Sequence, residues 1–322
     1  MGLLALFLLV VLFSLPAVTV PAHGQGTHGR LAEPQLVWVD TDIGDDIDDA
    51  FALGLVVRSP ELKLLGVSTA FGDTEARARI VDRYFAAIGV RGVPVTAGVH
   101  TQTDNVMTQR AYAEKAPLHT HPDGVAAMLD AIRAHPGQVT LIAIGPLFNV
   151  GAAIDRDPAA FRKVKRVVIM GGSVYRGYGG VKQAPAPEWN ILQDPKGAQK
   201  LFTAGVPLYV MPLDSTQIHL DAGARDALFA GSGELGRQLK ALYELWAATN
   251  PGKSPTPTLY DPVAVTYTFR PDLCPVKPMH IDVDAKGMTR PGEGKANAQV
   301  CLASNETGFL QLLRKRLESA AK

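Results

Sequence analysis

From residue 34 onward the chain alternates short, wholly apolar runs with longer amphipathic stretches, and that alternation limits it to one broad architecture. Residues 36–39, 64–68, 139–144, 167–170 and 208–211 each have the length and content of a buried strand. Between and after them, residues 50–57, 75–88, 125–134, 195–203, 224–229 and 235–248 have helical character. In the second of these, Ile80, Tyr84 and Ile88 recur on one face. Strands buried on both faces and alternating with helices predict an α/β fold, an open and mostly parallel sheet with helices on both faces. Such sheets bind ligands beyond the carboxyl ends of their strands, and the polar signatures of this chain fall there. No repeat or low-complexity linker divides the sequence, so residues 34–322 are read as one domain. The stretches 177–187 and 250–257, rich in glycine and proline, each precede a candidate site residue. They fit loops over a site or ordinary surface connections equally well.

The N-terminal residues stand apart. Residues 3–15 are almost wholly apolar, Pro16 breaks the run, and Ala22 and Gly24 are small residues two positions apart. This predicts a signal peptide, residues 1–24, and a secreted or periplasmic protein without stable membrane insertion after cleavage. No lysine or arginine precedes the run, and residues 3–20 are just long enough for an uncleaved anchor to be the alternative. No cysteine follows it, which excludes a lipoprotein anchor at this site. With 32 basic and 31 acidic residues the formal charge is +1, so no global field attracts nucleic acid or an anionic membrane. The basic run at Arg314, Lys315 and Arg316 reads as a solvated face of the last helix. Cys274 and Cys301 are the only cysteines. They fit a disulfide in an oxidising compartment or two separate buried thiols, and no Cys/His spacing suggests a structural zinc module.

The densest chemical signal is the segment Asp40-Thr41-Asp42-Ile43-Gly44-Asp45-Asp46-Ile47-Asp48-Asp49-Ala50. It places six carboxylates within ten residues, directly after a buried strand and before a helix. Such crowding repels itself and raises carboxyl pKa values unless a cation neutralises it. A helix N-terminus offsets roughly 0.3–1 kcal/mol for each well-placed acid, too little for six. A hard divalent cation with oxygen ligands can do so; the bland alternative is a solvated acidic helix cap. An EF-hand fits poorly, because Phe51 stands where its loop needs a glutamate.

The segment 40–53 resembles the N-terminal signature of the inosine-uridine preferring nucleoside hydrolase family, and further pieces follow in that family's order. Gly145-Pro146-Leu147-Phe148-Asn149 resembles its Gly-Pro-Leu-Thr-Asn. Met170-Gly171-Gly172 resembles its Met-Gly-Gly, Glu188-Trp189-Asn190 its Glu-Phe-Asn before Asp194-Pro195, and Tyr260-Asp261-Pro262 its His-Asp-Pro. The chain departs from the pattern in places. Two extra residues separate Gly44 from the paired aspartates, which are placed at Asp48 and Asp49 because Ala50 follows them; Asp45 or Asp46 remains a substitute. Asp73 follows Gly72 where the family commonly has asparagine, and another expected asparagine is absent, with Gly180 nearest its place.

The resemblance implies a Rossmann-like nucleoside hydrolase fold and Ca²⁺-dependent cleavage of the N-glycosidic bond of a ribonucleoside. It implies Asp42, Asp49, Asp261 and the carbonyl of Phe148 as metal ligands, with Asp42 also the general base. Asp48, Glu188 and Asn190 would hold the sugar hydroxyls, and Asp73 stands at a further sugar-contact position. Tyr260 occupies the place of the histidine that protonates the departing base in some members. A tyrosine, with an ordinary pKa of ~10, is a weaker acid than imidazolium. His119 and His121, ahead of Asp123-Gly124, are alternative donors or merely solvent-facing. Trp189 fits a pocket wall or the core. Base preference and self-association into a homo-oligomer stay open. Two other functions fit parts of the pattern. A magnesium phosphohydrolase also starts with strand and Asp-x-Asp but leaves residues 188–190 and 260–261 unexplained. An exported nucleoside- or ribose-binding protein would keep the cation without catalysis.

Overall fold

The computed structural model describes residues 1–2, 33–249 and 256–318. The expected signal peptide therefore lies almost wholly outside the described residues, as does most of the 250–257 stretch. Ten strands run through the part from Glu33 onward: β1 (Gln35–Thr41), β2 (Leu62–Thr69), β3 (Val95–Ala97), β4 (Thr140–Ala143), β5 (Arg166–Met170), β6 (Leu208–Met211), β7 (Val276–Met279), β8 (Ile281–Val283), β9 (Thr289–Pro291) and β10 (Ala298–Cys301). Eight of them form one sheet in the order β3-β2-β1-β4-β5-β6-β10-β7, and β8 pairs with β9 in a separate ribbon. Every pair in the main sheet is parallel except β10 with the edge strand β7. The architecture is the one the alternation predicts.

Successive side chains of a strand point to opposite faces, and β1 shows how this makes two cores. Val37 and Val39 pack into one cluster with α1 (Asp48–Arg58), α2 (Thr74–Ala87) and the helices Gly233–Ala248, Tyr260–Phe269 and Glu306–Leu317. Trp38 faces the other way, into a cluster with the helices Gly124–Ala134, Phe148–Arg156 and Pro195–Thr203. α1 is buried from Asp48 to Val56, and its partner Tyr260–Phe269 from Asp261 to Thr268. Helices apolar nearly all round are interior helices, and these two pack against each other. Each begins with aspartates, so their packing brings the acidic N-terminal turns together.

From β1 the chain winds outward to β2 and β3, then returns to place β4, β5 and β6 on the other side of β1. The crevice between β1 and β4 is thus the switch point of the sheet, where ligands of open α/β folds bind. Among the described residues no helix is long and apolar enough to cross a membrane. The strands β3 and β7 to β10 escape the sequence reading; each has only three or four residues, and β7, β8 and β9 are partly exposed.

Cys274 and Cys301 form a disulfide with Cα atoms 5.7 Å apart. It ties the segment entering β7 to the end of its partner β10, closing a loop with a sequence separation of 27. Loop-closure entropy for such a span corresponds to about 3 kcal/mol. Replacing both cysteines with serine should therefore lower the unfolding free energy by about 3 kcal/mol in urea titrations, and reductant should move the wild-type curve in the same direction.

Candidate active site

The site lies at the carboxyl ends of β1, β4 and β5, in a cavity of about 490 Å³. Its acidic lining comes from Asp42, Asp45, Asp46, Asp48, Asp49, Glu188 and Asp261. Asp48, Asp49 and Asp261 are buried and each offers a carboxylate oxygen within 4.8 Å of the others. Two observations explain how residues so far apart in sequence meet. The backbone N–H of Asp261 donates to Asp48 Oδ2 at 3.1 Å, and Asp49 accepts from the Thr41 hydroxyl at the end of β1. The helix N-terminal turns that carry these acids also favour negative charge. Asp42 lies in the same wall, on a loop where Gly44 adopts φ +130°, which an L side chain resists. Gly145 lets it fit: a Cβ there would stand 2.9 Å from Asp42 Oδ1.

Burial dominates the electrostatics. It raises the Asp42 pKa to about 7 against the opposing charge of Arg77, and raises Glu188 to about 7 against three backbone hydrogen bonds. Asp48, Asp49 and Asp261 are pushed well above the usual carboxylate range, first by burial and then by neighbouring carboxylates. Among the described residues no lysine or arginine lines the cavity. Arg77 on α2, 2% exposed, donates to the carbonyls of Asp42, Ile43 and Phe71 and pairs with the cavity residue Asp45 at 2.8 Å. Phe71, whose carbonyl it holds, has φ +67°, unusual for a bulky residue and typical of strain kept at functional sites. The trio and its deficit of positive charge fit a hard divalent cation with carboxylate ligands.

Three of the residues expected to contact the sugar, Asp48, Glu188 and Asn190, line the cavity. Glu188 caps the helix Trp189–Gln193, accepting from the N–H groups of Gly172, Asn190 and Ile191. Asn190 spends its amide NH₂ on the carbonyls of Ile144 and Met170, at 3.2 and 3.1 Å, and so ties β5 to the residue after β4. Both side chains line the cavity, as does Tyr260, whose pKa burial raises to about 12. Trp189 is half-buried in the cavity wall, edge-on to Phe71 at 5.8 Å.

Asp48 joins Asp49 and Asp261 in the tight trio, and Asp42 lines the same cavity. Three other assignments require correction. Phe148 does not line the cavity; it opens the helix Phe148–Arg156 and stacks its ring on Phe71 at 6.3 Å. Asp73 is turned away to cap α2, accepting from Ala76 N–H at 3.0 Å and pairing with Arg110 at 2.9 Å in a separate small cavity. His119 and His121 are not cavity residues either. They pack against Asp82 and Glu75 of α2, because the loop before the helix Gly124–Ala134 runs along that helix.

Several cavity residues had no signal in the sequence. Tyr178 stands edge-on to Tyr260 at 6.3 Å, and its hydroxyl oxygen accepts from Trp189 N–H at 2.8 Å. Burial raises its pKa strongly. It occupies the glycine-rich 177–187 stretch, which thus borders the site. Asn105, Val106, Thr108 and Trp246 complete the wall from elements that carry no motif.

Comparisons agree with this geometry. The profile described as "Inosine-uridine preferring nucleoside hydrolase" matches residues 37–311. The pyrimidine-specific ribonucleoside hydrolase RihB of Escherichia coli (strain SE11) is 29% identical over 272 residues, 78% of this chain and 84% of that protein. Among solved structures, a plant nucleoside hydrolase superposes with a TM-score of 0.75 at 24% identity, covering 89% of this chain and 99% of the other. A purine-preferring ribonucleoside hydrolase from Gardnerella vaginalis gives 0.76 at 22% identity, with the same coverage. The chain belongs to the inosine-uridine preferring nucleoside hydrolase family, and is an N-glycosyl hydrolase of ribonucleosides.

Proposed function

We propose that this protein is an exported, Ca²⁺-dependent ribonucleoside hydrolase that releases free base and ribose, with tyrosines instead of histidine at the leaving-group side. The observation that carries the reading is the buried trio Asp48, Asp49 and Asp261 in a cavity that Tyr178 and Tyr260 also line. The disulfide and the apolar N-terminal run support export.

Asp48, Asp49 and Asp261 would hold the cation, with Asp42 beside them. A hard divalent cation there supplies positive charge that offsets the carboxylates and Lewis acidity toward water and sugar hydroxyls. Asp42, with its raised pKa of about 7, is matched to accept a proton from the attacking water near neutral pH. Asn190, its NH₂ committed to two carbonyls, presents its amide oxygen to a sugar hydroxyl, and Glu188 is held rigid by its helix cap. A site built to pair hydroxyls is left unsatisfied by a 2′-deoxy sugar, which favours ribose. The oxocarbenium-like transition state places positive charge on the sugar, above the acidic floor of the cavity. In the same cavity, Tyr178 accepts from Trp189 N–H and so has its own proton to offer, as does Tyr260. The family match over residues 37–311 disfavours the phosphohydrolase reading. A panel of purine and pyrimidine nucleosides, assayed for free ribose with and without EGTA, tests the proposal; tight binding without base release would select the binding protein instead.

The insertion in the acidic motif gives a first expected outcome. Asp49→Asn should weaken Ca²⁺ binding roughly a hundredfold, since affinity follows ligand charge. Asp45→Asn should weaken it less, because Asp45 is already paired with Arg77. Calorimetric titration showing the reverse order would move the ligands to the inserted pair.

Proton and cation compete for the same oxygens. A carboxyl whose folded pKa exceeds its unfolded value holds protons that the unfolded chain has released. The metal-free fold therefore loses stability as pH rises from about 4 through about 7, and the cation restores it. The rise in Tm on adding Ca²⁺ to EGTA-treated protein should grow from pH 5 to pH 8. An equal rise at every pH would contradict this assignment.

Leaving-group help should depend on the tyrosines. General-acid catalysis is worth roughly 10²–10⁴-fold. Tyr260→Phe should thus slow inosine or uridine cleavage much more than cleavage of p-nitrophenyl riboside, whose leaving group needs little protonation. Equal effects on both substrates would show that Tyr260 is not the acid; Tyr178→Phe tests its neighbour in the same assay.

A further inference from the structure

Outside the cavity, α2 and the loop that follows residue 113 build a second cluster that nucleoside hydrolysis does not use. Glu75 and Asp82 are seven residues apart on α2, two turns along one face. The loop brings two imidazoles over that face, His119 and His121, with ring centroids 4.3 Å apart. Asp82 Oδ2 lies 2.7 Å from His121 Nε2 and 3.2 Å from His119 Nε2. One ligand atom from each of these three residues lies within 4.8 Å of the others.

The fourth residue sets the chemistry. Glu75 Oε2 stands 2.6 Å from His121 Nδ1, and its other oxygen accepts from the backbone N–H of His121 at 3.3 Å. A proton on Nδ1 shared with Glu75 leaves the Nε2 lone pair aimed at Asp82, an arrangement that repels unless a second proton or a metal cation joins them. A carboxylate on the far nitrogen is how proteins fix the tautomer of a metal-binding histidine. The His121 side chain is 1% exposed, whereas Asp82 and His119 are 25% and 51% exposed, so the cluster has one rigid member and an open side. Two imidazoles with one carboxylate suit a borderline transition ion rather than calcium. Zinc bonds of ~2.0–2.1 Å need ligand atoms somewhat farther apart than here, a shift of under about 1 Å that the two partly exposed side chains can make.

We propose that Asp82, His119 and His121 form a second metal site, specific for a zinc-class divalent ion, with Glu75 orienting His121. Its open side leaves a coordination position for water. The ion staples the loop to α2. That loop continues a segment whose earlier residues Asn105, Val106 and Thr108 line the carboxylate cavity, and α2 also carries Arg77. The staple thus fixes one wall of the cavity from behind.

The test uses the full chain, stripped of metal and then saturated with Ca²⁺ so that the carboxylate cavity is filled. Co²⁺ is titrated in and read by its visible absorption, and Zn²⁺ by calorimetry and by Tm. One Co²⁺ per chain should bind with the spectrum of a low-coordinate nitrogen and oxygen site, be displaced by Zn²⁺, and raise Tm. His119→Ala and Asp82→Asn should each weaken binding at least about tenfold, and Glu75→Gln by about 10–100-fold. His119 is half exposed, so its variant keeps the test valid even if His121→Ala fails to fold. Absence of the Co²⁺ band, or binding unchanged in His119→Ala and Asp82→Asn, overturns the site. In the first case the cluster is a protonated imidazole held by two carboxylates. In the second the ion sits on other surface histidines. Neither readout depends on base release, so failure here is distinct from failure of the hydrolase reading.

Discussion

One buried guanidinium faces a cavity floor made of carboxylates, and much of the local structure follows from that imbalance. Arg77 reaches the carbonyls of Asp42 and Ile43 after β1 and of Phe71 after β2, and its last nitrogen pairs with Asp45. It therefore does two things at once. It fixes the two loops that shape the crevice, and it neutralises one acid of the inserted pair. The remaining acids keep their excess negative charge inside a low-dielectric wall, where unpaired charge is costly. A chain that retains so many acids in one place has given up stability there, which is the usual mark of a functional site.

The fold was legible because apolar periodicity reports burial directly, and here every central strand is buried on both faces. The five strands and six helices read from the sequence fall within two or three residues of their expected bounds, whereas the helices Phe148–Arg156 and Tyr260–Phe269 were not read. Strands β7, β8 and β9 were not legible, since three or four partly exposed residues carry no period. The cavity acids were legible for a different reason: a cluster of like charges beside a buried strand has few structural explanations. Its tertiary use was less so. Sequence spacing cannot show that the packing of two interior helices makes Asp48 the neighbour of Asp261. Nor can it show that His119 and His121 lie on α2 instead of over the cavity, because a loop's course is set by its packing partners and not by its own composition.

Resemblance identifies positions, but the role of each side chain comes from what it touches. Asp40 and Asn149 illustrate the point. Both belong to motif segments, yet Asp40 is fully buried away from the cavity, with its pKa raised by burial to about 6. It accepts from Asn149 at 2.7 Å and from Ser68, whose hydroxyl in turn accepts from Trp38 at 3.0 Å. Asn149 also takes the N–H of Val99 and donates to the carbonyl of Thr69. These contacts knit β1, β2 and the helix after β4 at the switch point of the sheet. The first motif thus mixes a scaffold aspartate with the acids of the site, two residues apart, because Asp40 belongs to β1 whereas Asp42 follows the strand's last residue, Thr41, where the chain leaves the sheet and turns at Gly44.

The cavity lining combines two unlike kinds of residue. In the proposed reaction its acids suit a sugar that becomes cationic as the bond breaks, since fixed negative charge stabilises that state more than the neutral substrate. Tyr178, Tyr260, Trp189 and Trp246 in the same lining offer flat surfaces fit for a base. Buried tyrosines with pKa values above their ordinary range stay protonated across the neutral range. They offer a constant but weak donor, whereas an imidazolium offers a strong one that is lost as pH rises. In the proposed mechanism that weaker donor leaves more of the barrier to be removed at the sugar, and Asp48, Asp49 and Asp261 are the acids placed to do so, since of the two inserted acids Asp45 is already paired with Arg77.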